Sequence, residues 1–90
     1  MSANNEWIVY MLRCKGDTLY TGITTDIDRR VSEHNVSSLG AKYTRSRRPV
    51  ALVYTESAQD RSSASKREYQ IKQMIKKQKE RMIEDYAKKV

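Results

Sequence analysis

Apolar side chains first gather at residues 6–13, EWIVYMLR, where Trp7 to Leu12 fill both parities of an extended chain. A strand with one wet face alternates; one apolar at both parities is covered on both sides and belongs in the middle of its sheet. Residues 14–18, CKGDT, carry a Gly-Asp turn signal, and TLYTGI (18–23) reads as a second strand, so residues 6–23 predict a hairpin. Thr25 with Asp28 three positions on resembles a capping box, with Asp26 as an alternative cap, and a helix follows over about 26–35 that Asn35 can end. Residues 36–48, VSSLGAKYTRSRR, show no period and read as a loop. Pro49 opens a third strand, PVALVYTE (49–56), at the one strand position where proline is tolerated. From residue 57 onward the spacing is helical, with Ser57, Asp60, Ser62 and Ser63 as candidate caps, a helix over about 60–76, and a shorter one over 79–89 packed through Met82, Ile83 and Tyr86. The order β-β-α-β-α-α predicts an α+β fold: a three-stranded antiparallel sheet flanked by helices.

Two charges fall where the helical pattern calls for apolar groups. Ile27 and Val31 define the sheet-facing stripe of the first helix, and Arg30 and His34 lie on it, whereas Arg29 points away to solvent. In the second helix Ala64, Ile71 and Ile75 form a stripe that also carries Glu68, while Lys66, Lys72, Lys76 and Lys77 read as a solvated face. An arginine on a core-facing stripe is costly unless it meets an anion. A direct Arg30–Glu68 pair is the bland account, and a satisfied half-buried histidine is the bland account of His34. Tyr10 and Tyr20, read singly, are core or rim residues. Gly22 permits the close approach of a backbone or a ligand. Taken together these positions offer an acid, a cation, an imidazole and two phenols, with a basic loop nearby in sequence.

Ninety residues make one domain by length, with a core about 6–84 and modest stability. No apolar run approaches the ~20 residues of a membrane span. The start MSANNEW has no basic segment followed by an apolar one, so no secretory leader is expected. Cys14 is the only cysteine and His34 the only histidine, which excludes an internal disulfide and a Cys/His zinc cluster and suits a reduced, cytoplasmic setting. As a nucleophile Cys14 has no partner in the pattern; a small hydrophobe near the turn is its default role. The net charge of +7 points to a polyanionic partner, nucleic acid before acidic lipid. Lys42, Arg45, Arg47 and Arg48 occur with no acid among them, and Tyr43 is interleaved.

Val9-Tyr10, the ten residues from Tyr10 to Tyr20-Thr21-Gly22, then Arg30, His34 and a helical Glu68, resemble the GIY-YIG nuclease domain, in its small single-domain UPF0213-like subgroup. GAKYTRSRRPVALVY (40–54) is similar to that subgroup after the first helix, and the resemblance spans about residues 6–84. Each tripeptide alone is a weak signal; the ordered set is a strong one. The sequence departs at Ile8, Val9 and Thr21. No asparagine follows Asn35, although many nucleases of the superfamily have one after the acidic helix.

The resemblance implies a metal-dependent endonuclease acting on DNA rather than RNA, single-stranded or structured, in repair or recombination. It assigns one divalent metal to Glu68, and Mg²⁺ suits a lone carboxylate because it keeps most of its waters. It gives Arg30 the scissile phosphate and Tyr10 the part of general base, with Tyr20 and His34 positioning or relaying the proton. A free phenol is only ~0.1% ionised at pH 7, a penalty of roughly 4 kcal/mol, so His34 stands as the alternative base. Lys42, Arg45, Arg47 and Arg48 would grip backbone phosphates and Tyr43 would stack on an unpaired base or pack its loop. A nucleic-acid-binding module of the same fold with little catalysis, and an accessory domain working in a complex, are the competing readings. With no separate DNA-binding domain, target choice falls to the domain itself or to a protein partner.

Overall fold

The computed structural model describes residues 6–89. Residues 1–5, where no secretory leader is expected, lie outside the described part. Three strands, β1 (Trp7–Arg13), β2 (Leu19–Thr24) and β3 (Ala51–Ala58), form one antiparallel sheet in the order β2-β1-β3. The strand apolar at both parities is therefore central, as its pattern requires. Its residues divide between two layers. Val9 and Met11 meet Ala64 and Ile71 on one face, with Trp7, Ile23, Val53 and Met82 packed around them. Tyr10 and Leu12 meet Cys14 and Val50 on the other, with Tyr20, Ile27 and Val31 against them.

Four helices complete the order: α1 (Ile27–Val36), α2 (Lys42–Arg45), α3 (Arg61–Lys72) and α4 (Lys76–Lys89). Asp26, not Thr25, caps α1, accepting from the Arg29 amide at 3.1 Å, and Asp60 caps α3 by accepting from that of Ser63 at 2.8 Å. Both satisfy amides that a helix start leaves without partners.

Four sequence expectations are corrected. The stretch read as a loop contains α2, a single turn in which the Thr44 and Arg45 amides both donate to the Ala41 carbonyl; one turn is too short to show a period. The second long helix stops at Lys72 rather than 76, and Ile75 is exposed between α3 and α4 instead of extending the apolar stripe. The third strand begins at Ala51, two residues after Pro49. Asn35 does not end α1. Its side-chain amide faces Val50, accepting from the Val50 amide at 2.8 Å and donating to its carbonyl at 3.0 Å, and so clips the helix to the start of β3.

The hairpin turn carries Gly16 and Asp17 at φ +88° and +67°. Arg13 reaches from it to Glu80 through two hydrogen bonds of 2.7 Å, and Lys76 donates to the Asp17 carbonyl, so the turn is tied to α4.

Candidate active site

The site grows from the centre of the sheet. Tyr10 sits on β1 directly opposite Gly22 of β2. A Cβ at position 22 would stand 2.5 Å from the Tyr10 hydroxyl oxygen, so only glycine leaves the phenol its place. The phenol oxygen lies 2.9 Å from Nε2 of His34, which reaches it from the sheet-facing side of α1, and Nδ1 of His34 lies 2.8 Å from Oγ1 of Thr44 on α2. All three side chains are buried. The Thr44 hydroxyl in turn donates to the Ala41 carbonyl at 3.0 Å.

Residues 37–48 are folded back onto α1 to make this contact. Gly40 passes so close that a Cβ there would be 2.7 Å from the Glu33 carbonyl oxygen and 2.9 Å from Cα of His34. Arg48 turns its guanidinium inward onto the carbonyls of Glu33, His34 and Ser37, satisfying the open end of α1. The sequence reading gave Arg48 to nucleic-acid phosphates; in the fold its Nε and Nη2 bond the end of α1.

Tyr20 packs edge-on against His34, ring centroids 5.2 Å apart, and tilts against Tyr10 at 6.4 Å. Arg30, one turn before His34, is only partly buried; its Nη1 donates to Glu33 at 2.9 Å and to the Leu39 carbonyl at 2.8 Å. The direct Arg30–Glu68 pair is not formed. Glu68 on α3 pairs with Lys72 at 3.2 Å, and the Lys72 ammonium stands 6.0 Å from the centre of the Tyr20 ring. Lys72 thus belongs to the rim of this region and not to a remote solvated face, because α3 runs beside β2, where Tyr20 lies.

Electrostatics tie the five residues together. Burial pushes the Tyr10 phenol up to about 12, opposed by the Arg30 guanidinium and reinforced by Tyr20 and by the Glu68 carboxylate. Burial lowers His34 to about 4, and the neighbouring charge of Arg30 adds to that, so the imidazole is neutral at pH 7. In the resting protein the phenol is therefore a poor base by itself: ionising it at pH 7 would cost about 7 kcal/mol.

The basic segment splits by role. Lys42 and Arg45 are exposed and, among the described residues, in no ion pair. Tyr43 is exposed at its edge, with the Tyr20 ring stacked at 5.8 Å and the Arg47 guanidinium 4.0 Å from its ring centre. Arg47 also donates to the Tyr43 carbonyl at 2.7 Å. Cys14 is buried beside Val50, and burial raises its thiol, as expected of a small hydrophobe.

Two residues of the region escaped the sequence reading. Lys72 carried a usable signal, its i+4 spacing from Glu68. Thr44 carried none, since its partner His34 is ten positions away across a segment without period. A separate hollow of about 550 Å³ opens between β3, α3 and α4. It is lined by Tyr54, Glu56, Arg67, Asp85, Tyr86 and Lys89 but has no imidazole, and its Glu56 is bonded by Tyr54 at 2.6 Å and by Arg67.

Glu68 is the one carboxylate whose charge reaches Tyr10, and no group of three or more His, Cys, Asp or Glu side chains among the described residues could enclose an ion. A metal that demands a full protein cage does not fit. A hard ion that keeps most of its waters and binds through one carboxylate does, provided it displaces Lys72.

Comparison with known proteins places the chain in a family. Residues 6–81 match the family described as the GIY-YIG catalytic domain. A UPF0213 protein of Desulfotalea psychrophila is 60% identical over 77 residues, covering 86% of this chain and 70% of its own length. One from Staphylococcus haemolyticus is 49% identical over 77 residues, covering 86% and 93%. Among solved structures, an E. faecalis protein determined by solution NMR is 38% identical with a TM-score of 0.63, covering 97% of this chain and 92% of that one. The UPF0213 protein of Bacillus halodurans is 42% identical with a TM-score of 0.56, covering 88% and 83%. No helix among the described residues is long and apolar enough to cross a membrane.

Proposed function

The chain belongs to the family of the GIY-YIG catalytic domain, a nuclease-family domain, and from that premise we propose that it is a phosphodiesterase that cuts DNA with the help of one divalent ion. The observation that carries the reading is the meeting of Tyr10, Tyr20, Arg30 and His34 beside Glu68 at the edge of a buried polar chain. The family's nucleases generally use a divalent metal, and here Glu68 would hold it, Mg²⁺ being the ion whose chemistry suits a single carboxylate. When bound, such an ion neutralises charge developing on the phosphate and the departing oxygen.

The remaining work falls to the chain itself. Arg30 turns from Glu33 and the Leu39 carbonyl to grip the scissile phosphate, where a planar guanidinium donates two parallel hydrogen bonds. The Tyr10–His34 pair removes a proton from the attacking water. Tyr20 walls the imidazole from solvent. Lys42, Arg45 and Arg47 hold flanking phosphates regardless of sequence, in a salt-dependent way. A substrate phosphate also neutralises Arg30, one of the causes that keep His34 from accepting a proton.

Incubating the purified protein with labelled single-stranded, duplex and branched DNA and with RNA, in Mg²⁺ or in chelator, tests the reading. Cleavage of DNA in Mg²⁺ alone is the expected result, and Glu68→Gln is expected to lower it on the order of 10³-fold with binding retained. Salt-sensitive binding with no metal-dependent cleavage would instead make the chain a binding module of the same fold.

A further inference from the structure

We propose that Thr44 is a positioning residue that fixes the tautomer of His34, and thereby makes Tyr10 the proton donor and His34 the final proton acceptor of the site. This rests on the cleavage reading above for its catalytic part; its structural part stands on hydrogen-bond geometry alone.

The argument is a count of protons. The Thr44 hydroxyl has one hydrogen, and that hydrogen goes to the Ala41 carbonyl at 3.0 Å. Its oxygen, 2.8 Å from Nδ1 of His34, can then only accept, so Nδ1 carries the hydrogen. A neutral imidazole has one N–H, which leaves Nε2 bare, and Nε2 accepts from the Tyr10 hydroxyl at 2.9 Å. The chain runs Tyr10 O–H to Nε2, Nδ1–H to Thr44, Thr44 O–H to the Ala41 carbonyl, and Tyr10, His34 and Thr44 are buried. The fold protects this order at its far end. Ala41 is placed by Gly40, which fits against Glu33 and His34 only without a side chain, and by Arg48, which clamps the end of α1. In water the opposite tautomer is the commoner one, so the arrangement is imposed rather than inherited.

The consequence is a relay. A water O–H bond breaks and its proton binds the Tyr10 oxygen while the Tyr10 proton passes to Nε2 of His34. The hydroxide so formed gives its electron pair to phosphorus, the bond from phosphorus to the 3′ oxygen breaks, and that oxygen takes a proton from solvent. The imidazolium later releases its proton to solvent. No free phenolate is needed, which suits a phenol that burial holds near 12. With the other tautomer Nε2–H would point at Tyr10 and the phenol would have no acceptor behind it.

His34 is the only histidine, so the imidazole nitrogens of a tag-free, histidine-labelled protein report on it alone. Nitrogen shifts and ring couplings at pH 7 are expected to show Nδ1 protonated in the parent and in Thr44→Ser, and Nε2 protonated in Thr44→Val. Cleavage is expected to fall on the order of 10²-fold in Thr44→Val, mainly in kcat, and to recover in Thr44→Ser. A parent with Nε2 protonated overturns the proposal even if Thr44→Val does not fold. So does a Thr44→Val protein with a switched tautomer and undiminished cleavage. The expected tautomers together with no cleavage by any version would uphold the tautomer and refute the nuclease reading.

Discussion

The two faces of β1 do different work. Toward α3 and α4 the layer is apolar: Val9 and Met11 against Ala64 and Ile71, with Ile23, Val53 and Met82 around them. Toward α1 and α2 the buried layer is mixed: Tyr10, His34 and Thr44 lie as deep as Leu12, joined by hydrogen bonds of 2.8 to 2.9 Å. One strand of seven residues supplies both layers because successive side chains point to opposite sides. The apolar layer holds the sheet rigid, and the polar layer can then keep buried groups in one arrangement. Stability and chemistry are separated by parity along a single strand.

The widest separation is expected from Ile71→Ala. Ile71 is 0% exposed at the centre of the apolar layer. Truncation should cost about 3–4 kcal/mol in denaturant unfolding, the usual range for a buried aliphatic residue. The His34 nitrogen shifts should stay as in the parent wherever the protein remains folded. A loss under about 1 kcal/mol, or a shifted imidazole in the folded variant, would show that the layers are not independent.

A smaller effect of opposite origin is expected from acid. Unfolded histidine takes its proton near pH 6.5, whereas folded His34 does so only near 4. Between those values the unfolded chain binds more protons, so stability is full above pH 6.5 and falls as the pH drops toward 4, by roughly 3 kcal/mol. Unfolding measured from pH 7.5 to 4 in the parent and in His34→Gln isolates this from carboxylate titration. Equal slopes in the two proteins would contradict a neutral buried His34.

The same division explains what could be read before the fold was known. The central strand, the hairpin, the third strand and the sheet-facing sides of α1 and α3 follow from apolar period, which reports burial directly. Arg30, His34 and Glu68 were visible as charges interrupting that period. Thr44, the inward turn of Arg48 and the approach of Lys72 to Tyr20 were not, because each depends on a partner fixed by three-dimensional folding: His34 behind a one-turn helix, the open end of α1, and β2 beside α3. Local pattern shows which residues are out of place, and only packing shows what they meet.

The finest test of the division lies in one residue of β2. Thr21 pairs with Met11 and so faces the apolar layer, between Tyr20 and Gly22, which face the polar one. It is 3% exposed, and among the described residues its hydroxyl has no hydrogen-bond partner. A buried hydroxyl without a partner retains its desolvation cost, whereas the hydroxyl of Thr44, at the same depth on the other side, is bonded twice. Thr21→Val keeps the shape and the β-branching and removes the orphaned oxygen. It should stabilise the protein by about 1 kcal/mol, raising Tm by about 4–8 °C for a domain of this size. Cleavage should be unchanged, since the substitution lies on the side away from Tyr10. The position is also where the sequence departs from the isoleucine of the family's tripeptide, so the gain would measure what that departure costs. A lower Tm, or a slower cut at unchanged Tm, would mean that the Thr21 hydroxyl serves the polar layer after all and that the parity rule fails at its closest point to the site.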